Sequence, residues 1–293
     1  MSIELSNAHR AEVLTQALPY IQKFYGKVVV VKYGGNAMIN DHLKEQVMED
    51  IVLLHLIGVK IVLVHGGGPE ITDTLKKIGK ETVFYNGLRV TDKETADVVQ
   101  MVLAGKINKS LVNLLQIKGA DAIGLSGLDG HMIKAEMKDK NLGFVGSIKS
   151  VDVKPIIDIL EKGYIPVVST IGCDSLGNVY NINADTAAAH IAGAMGAWRL
   201  YAMTDIEGIL RDKDDHTSII PCIDLKEAQQ LFDDGIISGG MIPKVECCID
   251  AIKLGVKKVT IIDGRVPHAL LIETLTNEGA GTMVGRDKND DEY

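Results

Sequence analysis

Two glycine-rich segments come directly after predicted strands, and the first of them also carries a lysine. Residues 32–36 read Lys-Tyr-Gly-Gly-Asn after the valine run 28–31, and residues 66–68 are three glycines after the strand predicted over 60–65. Glycines at the carboxyl end of a strand allow backbone N–H groups to approach an oxyanion, and the start of a following helix adds positive potential. Lys32 would add a full charge. The pattern favours a phosphate site, although glycines in these places are also typical of simple turns.

The sequence lacks two common phosphate-binding signatures. It contains no GxxxxGK[ST] motif, which a P-loop protein requires, and no GxGxxG segment opening a helix, as a dinucleotide-binding fold would have. If the two strands are neighbours in a parallel sheet, their carboxyl ends meet at one edge, where ligands of open α/β sheets bind. We therefore expect both glycine segments to contribute to one site.

Arg89 is a candidate for holding a carboxylate. It follows the predicted Asn86-Gly87 turn, and a hairpin there would present its guanidinium on a short, defined loop. A guanidinium can clamp a carboxylate with two parallel hydrogen bonds. An ordinary surface arginine is the other interpretation of this residue.

Polar residues also stand at the predicted starts of two helices. Asn183 is a candidate N-cap and Asp185 suits the helix dipole, but three polar side chains (Asn181, Asn183 and Asp185) before an alanine-rich helix indicate a site. Lys244 begins another predicted helix, where the dipole disfavours a cation, so an anionic ligand is indicated. The segment 204–210 follows a further strand and could border a nucleotide, though it also reads as an ordinary loop.

Strands and helices alternate along the chain in the order that would position these residues. The segment Ala8–Tyr25 is predicted to be one helix bent by Pro19. β-Branched runs predict buried strands with helices between them, which is typical of a continuous, mostly parallel sheet with right-handed crossovers. The polar end 285–293 is expected to be frayed. Strands are predicted over 27–32, 60–65, 82–85, 88–90, 122–126, 132–136, 146–151, 164–169, 198–203 and 257–262, and helices over 41–57, 93–118 with an interruption near 105, 154–162, 185–195, 224–234 and 244–254, with another opening at 69.

Composition excludes several classes of protein. The 293 residues carry 31 Lys+Arg and 39 Asp+Glu, a formal charge of -8, and no basic stripe is visible, so a nucleic-acid partner is not expected. No apolar run approaches the ~20 residues that span a bilayer, and no secretory signal is visible. The four cysteines have no CxxC spacing, which suits neither a disulfide framework nor a zinc site. We expect a reduced, cytoplasmic protein without membrane contact.

The combined motifs resemble the amino acid kinase family. The matching segments, in family order, span nearly the whole chain from Lys27 to Val284. The resemblance implies a three-layer αβα sandwich with a mostly parallel central sheet, here preceded by an N-terminal helix. It is closest to the branch that phosphorylates the γ-carboxylate of N-acetyl-L-glutamate with ATP in arginine biosynthesis. The segments are KYGGNAM, VHGGGPEI, NGLRVTD, NINADTAAAHIA, MTDIEGIL and GGMIPKV.

The resemblance assigns roles to residues of this sequence. It implies that Lys32 and Lys244 stabilise the transferring phosphoryl group and that Asp185 positions both lysines. ATP and Mg²⁺ are the implied cofactors, and no residue is assigned as a metal ligand. The implied N-acetylglutamate contacts are Gly67, Gly68, Arg89 and Asn181, with Arg89 on the α-carboxylate. The implied nucleotide and phosphate contacts are Gly34, Gly35, Asp205, Gly208, Leu210, Ile236 and Ser238, and Gly67 would also donate to the phosphates.

The resemblance also implies a division of the chain and a regulatory site. Residues 1–26 would form a helical extension for oligomerisation and regulation, residues 27–195 a lobe for acetylglutamate and phosphoryl transfer, and residues 196–293 a lobe for ATP. Family members with such an extension form hexamers and are inhibited by arginine. Arg199 stands where a lysine is expected, which changes the geometry of the charge. The candidate arginine contacts are Tyr20, Arg199, His268, Glu278 and Gly279; a role as surface or lobe-interface groups is the alternative.

Three other interpretations stay open. The acceptor could be glutamate, aspartate, carbamate or a nucleotide, although NGLRVTD and NINAD favour acetylglutamate. A non-catalytic sensor that binds arginine or a signalling partner is disfavoured because Lys32, Asp185 and Lys244 are all present. The sequence does not decide whether a nitrogen-signalling regulatory protein also binds.

Overall fold

The structure, a computed structural model, describes residues 6–286. An eight-stranded, mostly parallel sheet lies between two helical layers, so the predicted αβα sandwich is confirmed. No helix within the described range is long and apolar enough to cross a membrane. The polar end predicted to be frayed lies outside the described residues from position 287 onward, as do the first five residues of the predicted N-terminal extension.

The N-terminal segment is helical as predicted, and the bend predicted at Pro19 is a break into two helices at Ala17. α1 spans Asn7–Gln16 and α2 spans Leu18–Phe24. Pro19 lies in the first turn of α2, where its missing N–H costs nothing and its fixed φ favours a new helix start. Phe24 is buried in the core on one face of the sheet, which anchors α2 to the rest of the protein.

The described residues contain fourteen strands in three sheets. The Asn86-Gly87 turn predicted for the hairpin is present, with positive φ at both residues as a type I′ turn requires. The strands are β1 (Val28–Tyr33), β2 (Lys60–His65), β3 (Phe84–Tyr85), β4 (Leu88–Arg89), β5 (Ala122–Ser126), β6 (Ile133–Met137), β7 (Gly146–Val151), β8 (Ile165–Ser169), β9 (Ile171–Cys173), β10 (Val179–Asn181), β11 (Arg199–Thr204), β12 (Cys222–Asp224), β13 (Lys258–Asp263) and β14 (Gly281–Gly285).

The long helix predicted over 93–118 is interrupted by a π-helical segment, Met101–Ile107, which contains Gly105. The interruption was predicted, but its π geometry was not. The remaining helices are α3 (Asp41–Leu56), α4 (Gly68–Lys77), α5 (Lys93–Gln100), α6 (Asn108–Ile117), α7 (Lys154–Glu161), α8 (Ala184–Ala194), α9 (Leu225–Asp233), α10 (Ile242–Lys253) and α11 (Ala269–Leu275).

The large sheet has the strand order β12-β14-β13-β11-β1-β2-β8-β5. Neighbouring strands from β13 to β5 run parallel, whereas β14 is antiparallel to β13 and β12 is parallel to β14. β1 therefore lies between β2 and β11, and the segments that follow these three strands emerge at the same edge.

Alternate residues of the central strands face two separate cores. Val29 and Val31 of β1 join the core under α3 and α6, and Val30 joins the core under α8 and α10. The same alternation directs Lys32 towards α8 and α10, and His65 of β2 towards α3 and α6. Lys32 and His65 are therefore at the same edge of the sheet, but their side chains lie on opposite faces of it.

The prediction of one continuous sheet was wrong. β6 and β7 belong to a separate four-stranded sheet with β9 and β10. The sequence analysis also did not predict β9, β10, β12, β14 and α11. These elements are too short, at three to seven residues, to display a periodic apolar pattern.

Candidate active site

Lys32 is held by two groups at the carboxyl end of β1. Its Nζ lies 2.9 Å from Asp185 Oδ1 and donates a hydrogen bond to the Met203 carbonyl oxygen at 3.1 Å. The residue is only 7% exposed. A buried ammonium needs such partners because an unpaired charge in the interior is strongly disfavoured.

Asp185 lies in the first turn of α8, at the positive end of that helix. Asn183 caps the helix, its side-chain oxygen accepting from the Thr186 N–H at 3.0 Å, as the N-cap prediction expects. Burial alone would raise the pKa of Asp185, but the charges of Lys32 and Lys244 outweigh it and lower that pKa. Asp185 is therefore a carboxylate that neutralises part of the lysine charge.

Lys244 approaches the same point from the start of α10. Its Nζ donates to the Thr204 hydroxyl at the end of β11. Burial and the charge of Lys32 lower the pKa of Lys244, and Asp185 acts in the opposite direction. Asp205 also raises the pKa of Lys244, but less than Asp185 does. The two ammonium groups thus share Asp185 as their main counter-charge, an arrangement that an additional anion would stabilise.

A small cavity joins these groups between the sheet and the α8/α10 layer. Besides Lys32, Asp185, Thr204 and Lys244, it is lined by apolar side chains and by Cys247 and Cys248. Burial raises the pKa of Cys247 to about 12 and that of Cys248 well above its usual range. Both are neutral thiols near pH 7, so neither provides a nucleophile.

The loop after β1 packs against the loop after β11. Gly35 has a φ of +71°, and a Cβ built there would lie 2.3 Å from Asp205 Oδ1. Only glycine suits both the backbone conformation and the available space. Gly34 lies next to the Lys32 ammonium, so the first glycine segment and Asp205 border the lysine cluster.

The second glycine segment follows β2 at the neighbouring position. α4 begins at Gly68, and the first N–H groups of a helix lack intrahelical acceptors, so they are available to an anion. A Cβ on Gly67 would lie 2.3 Å from Ile107 Cδ1 and 2.6 Å from Leu103 Cδ2. The π-helical segment therefore covers this loop closely.

Arg89 lies beside Gly68, the first residue of α4. Its Nη2 donates to the Gly68 carbonyl oxygen and to the Thr72 hydroxyl, both at 2.9 Å, and Nη1 donates to Thr82 at 3.2 Å. The guanidinium also stacks over the Phe84 ring. Within the described residues these contacts engage three of the five N–H donors, so two are available to a ligand.

The other predicted site residues lie in loops or short strands. Asn181 ends β10, two residues before the α8 cap. Gly208 packs against the Thr282 hydroxyl, which accepts from the Ile209 N–H at 2.8 Å and thereby shapes the loop after β11. Leu210 pairs with Ile219 in that loop, and Ile236 and Ser238 lie between α9 and α10.

The residues predicted to hold arginine lie around α11, away from the lysine cluster. Tyr20 is on α2, which packs against α11, and Glu278 and Gly279 follow α11. His268 directly precedes α11 with a positive φ, and its Nδ1 lies 2.6 Å from Asp50 Oδ1. Arg199 begins β11, about 17 Å along the strand from Thr204 at ~3.3 Å per residue, and its Nη1 lies 3.0 Å from Met283 Sδ. Arg199 is therefore far from Thr204, which contacts the lysine cluster at the other end of the strand.

Sequence reasoning assigned no role to the Met203 carbonyl, to His65 or to Asn108, and it placed Thr204 in the segment that could border a nucleotide, not as a partner of Lys244. Met203 and Thr204 are the last two residues of β11, which lies beside β1. Ligands of open α/β sheets bind at the carboxyl ends of the strands, so this location could have indicated both residues. Asn108 lies inside a predicted helix, and nothing in its surroundings marks it.

The arrangement suits a reaction in which negative charge develops at one edge of the sheet. Two lysines, the N–H groups at the start of α4 and the glycine loop after β1 converge there. Preorganised donors of this kind stabilise a transferring phosphoryl group without supplying covalent chemistry.

Comparison with known proteins reveals extensive similarity. The model of the amino acid kinase family matches residues 27–263. An acetylglutamate kinase from Brachyspira hyodysenteriae is 55% identical over 97% of this chain and 99% of its own length. An acetylglutamate kinase from Caldanaerobacter subterraneus is 50% identical over 97% of this chain and 95% of its own length.

A solved structure shares the fold at lower identity. N-acetylglutamate synthase from Neisseria gonorrhoeae, complexed with coenzyme A and N-acetyl-glutamate, superposes with a TM-score of 0.82 at 23% identity. The match covers 94% of this chain but only 63% of that protein. This likeness supports the fold alone.

Proposed function

The chain belongs to the amino acid kinase family, and from this premise we propose that it transfers the γ-phosphoryl group of ATP to the γ-carboxylate of N-acetyl-L-glutamate. It is an enzyme of the acetylglutamate kinase type, and kinases of this family use ATP. The observation that carries the proposal is that Lys32 and Lys244 meet around Asp185 at the sheet edge. The product would be N-acetyl-L-glutamyl 5-phosphate, which we place in arginine biosynthesis.

The acceptor requires no general base. A γ-carboxylate has a pKa near ~4.3 and is already ionised at neutral pH. The reaction instead needs alignment of the carboxylate with the γ-phosphorus and neutralisation of charge on the equatorial oxygens. In this proposal Lys32 and Lys244 contact those oxygens, and Asp185 holds the lysines in position.

The glycine segments would complete the binding of both substrates. Gly34 and Gly35 would donate backbone N–H groups to the ATP phosphates, and Gly67 and Gly68 would donate to the phosphoryl group and to the acceptor. Arg89, with two donors available beside Gly68, would hold the α-carboxylate of N-acetylglutamate, and Asn181 would contact the same substrate. The nucleotide would lie along Asp205, Gly208 and Leu210, bordered by Ile236 and Ser238.

Mg²⁺ would accompany ATP. The described residues contain no group of three or more His, Cys, Asp or Glu side chains that could hold a metal ion. Mg²⁺ commonly keeps several waters and binds through substrate phosphates, so phosphate oxygens would be its main ligands. When bound, it would neutralise charge on the β- and γ-phosphates.

The test of substrate identity is ADP release with a panel of acceptors. We expect turnover with N-acetyl-L-glutamate and little with glutamate, aspartate, carbamate or a nucleoside monophosphate. Turnover with one of these and none with N-acetylglutamate would retain a kinase and overturn the substrate assignment.

We also propose the predicted division of the chain and its control by arginine. Residues 27–195 would form the acetylglutamate lobe and 196–293 the ATP lobe, with residues 1–26 serving assembly and regulation. Support comes from the packing of α2, which carries Tyr20, against α11, which directly follows His268. Glu278 is exposed beside this contact and could pair with a guanidinium.

Regulation and assembly have separate tests. L-arginine, but not D-arginine, should inhibit wild-type turnover, and Glu278→Gln should weaken that inhibition without changing turnover in its absence. Equal turnover with and without L-arginine would contradict regulation. The mass in solution should correspond to six copies, and a monomeric or dimeric mass would contradict the proposed hexamer.

A further inference from the structure

We propose that His65 and Asn108 are positioning residues that hold the second glycine segment in its binding conformation. The inference rests on the proposed function, because Gly67 and Gly68 are its proposed substrate contacts. Neither His65 nor Asn108 has a part in the phosphoryl-transfer cluster, since His65 faces α6 and Lys32 faces α8.

The orientation of the Asn108 carboxamide follows from its neighbours. Its Nδ2 lies 2.8 Å from the Val167 carbonyl oxygen and 3.1 Å from the Leu125 carbonyl oxygen. Both partners accept only, so the amide nitrogen rather than the oxygen must face them. Asn108 thereby ties the start of α6 to the ends of β5 and β8.

The neighbours of the His65 ring determine which nitrogen carries the proton. The same Nδ2 lies 3.2 Å from His65 Nε2. The carboxamide has two N–H groups for these three acceptors, so one N–H is shared, whereas the Gly66 carbonyl oxygen beside Nδ1 can only accept. The proton of the neutral imidazole must therefore be on Nδ1, and Nε2 is the accepting nitrogen. His65 Nδ1 lies 2.9 Å from the Gly66 carbonyl oxygen and donates to it.

The His65 imidazole is suited to act as a permanent hydrogen-bond donor with a structural role. His65 is fully buried, and burial lowers its pKa to about 4. It therefore stays neutral, with one fixed donor and one fixed acceptor, throughout the physiological pH range. A charge at this point would change the potential at the adjacent glycines, so a neutral donor leaves that potential constant.

The second glycine segment is also held by packing contacts on both of its sides, one of which the π-helical segment provides. Asn108 follows it directly, and its residues Leu103 and Ile107 lie against Gly67. On the opposite side, a Cβ on Gly66 would lie 3.1 Å from Ala184 Cβ, one residue before Asp185. The loop is thus held between the π-helical segment and α8, and the His65 hydrogen bond sets the direction of the Gly66 carbonyl within it. Local π geometry is common at functional sites.

The first experiment measures the tautomer without reference to activity. Wild-type protein labelled with ¹⁵N-histidine should show, for the resonance lost in His65→Gln, a protonated Nδ1 and an unprotonated Nε2, unchanged between pH 6 and 8. An Nε2–H tautomer, or titration in this range, would overturn the proposal. The spectrum is that of the wild-type protein, and unchanged resonances of the other seven histidines show that His65→Gln is folded and the assignment valid. Asn113→Asp, on the exposed side of α6, should leave the spectrum unchanged.

The second experiment compares two substitutions at one position. His65→Asn keeps an amide near the place of Nδ1, whereas His65→Gln places its amide near Nε2. We expect His65→Gln to lower kcat/KM for N-acetylglutamate roughly 10²-fold, as misplacement by about 1 Å can do, with the KM for ATP nearly unchanged. His65→Asn should retain most of the activity. Equal kcat/KM for wild type and a folded His65→Gln, or equal losses in both variants, would overturn the proposal.

Hydrogen–deuterium exchange separates this inference from the proposed function. Amides of residues 66–68 should exchange roughly tenfold faster in His65→Gln and at the wild-type rate in Asn113→Asp, whatever substrate the enzyme uses. If wild-type protein does not phosphorylate N-acetylglutamate, the proposed function fails while the exchange and tautomer results still decide the role of His65. Unchanged exchange in a folded His65→Gln would overturn that role.

Discussion

Lys32 and Asp185 form an ion pair, 2.9 Å between Nζ and Oδ1, that joins the end of β1 to the first turn of α8. The same Nζ donates to the Met203 carbonyl oxygen of β11. Within the described residues these contacts engage two of the three ammonium donors, so the third can reach a phosphoryl oxygen. The pair thus holds Lys32 in place while leaving it able to bind a ligand.

Replacing either clustered lysine by methionine should remove turnover while preserving the fold. Lys32→Met and Lys244→Met remove a preorganised cation from the transferring group, and we expect kcat to fall roughly 10²- to 10³-fold, by analogy with loss of an oxyanion donor. Steady-state ADP release measures the effect. Lys253→Met, at the exposed end of the same helix as Lys244, is the control. A kcat within a few-fold of wild type in both cluster variants would contradict the assignment.

Replacing Asp185 by asparagine should lower both turnover and stability. The change keeps the shape but leaves the buried Lys32 ammonium without a counter-charge, for which about 1–3 kcal/mol of unfolding free energy is the expected loss. We expect kcat to fall roughly 10²-fold because Lys32 is no longer held. Urea unfolding and turnover are measured on the same samples.

The matched control for Asp185 is Asp158→Asn, which breaks the surface ion pair with Lys154. Exposed pairs contribute about 0–1 kcal/mol, so little change is expected. If Asp158→Asn and Asp185→Asn behaved alike in both measurements, the proposed role of Asp185 would be wrong.

Arg89→Lys should weaken binding of N-acetylglutamate more than it affects ATP. Lysine keeps the charge but loses the planar pair of donors that grips a carboxylate. We expect the KM for N-acetylglutamate to rise roughly 10- to 100-fold, equivalent to about 1.4–2.7 kcal/mol, with the KM for ATP unchanged. Arg10→Lys, on the exposed helix α1, should match wild type. A parallel rise in both KM values would instead place Arg89 outside the acceptor site.

The cluster of Lys32, Asp185 and Lys244 was predictable because its members lie at locally encoded positions. Lys32 follows a buried valine strand, Asp185 opens an alanine-rich helix, and Lys244 opens another, so local patterns already locate each one. The alternation of strands and helices predicted the mostly parallel sheet, and the three-layer arrangement was implied by the family resemblance. The register that brings the three residues together depends on β1 lying beside β11, a long-range pairing that no local pattern encodes.

The His65–Asn108 contact could not be predicted for the same reason. The two residues are 43 positions apart, and Asn108 lies in a segment with ordinary helical periodicity. The preceding π-helical residues leave no distinct sequence pattern, because the change is one of hydrogen-bond register within a helix. The short strands β9 and β10 were missed because three residues cannot display alternation.

The pH dependence of stability should reveal the buried His65. Its pKa is about 4 in the folded protein against 6.5 in the unfolded chain. Between these values the unfolded chain binds the extra proton, so the contribution of this group is fully present above pH 6.5 and is lost as the pH falls towards 4. The expected loss is about 3 kcal/mol at ~1.36 kcal/mol per pKa unit.

The measurement is the difference in unfolding free energy between wild type and His65→Asn from pH 4 to 7. This difference should rise with pH, because only wild type carries the titrating group, while other ionisable residues cancel. Asn113→Gln, an exposed change in α6 that removes no titratable group, should give a difference that stays constant with pH. A difference that stays constant with pH at His65 would show that its proton affinity is not lowered by folding.

The measurement that tests the central claim most directly is trapping of the product with hydroxylamine. An acyl phosphate reacts with hydroxylamine to give a hydroxamate and releases phosphate, so the hydroxamate reports which carboxylate was phosphorylated. With ATP, Mg²⁺ and N-acetyl-L-glutamate we expect the γ-hydroxamate of N-acetylglutamate, identified by mass spectrometry, in amounts equal to the ADP formed, and none with glutamate. ADP formation without any hydroxamate, or hydroxamate from a different acceptor only, would contradict the account.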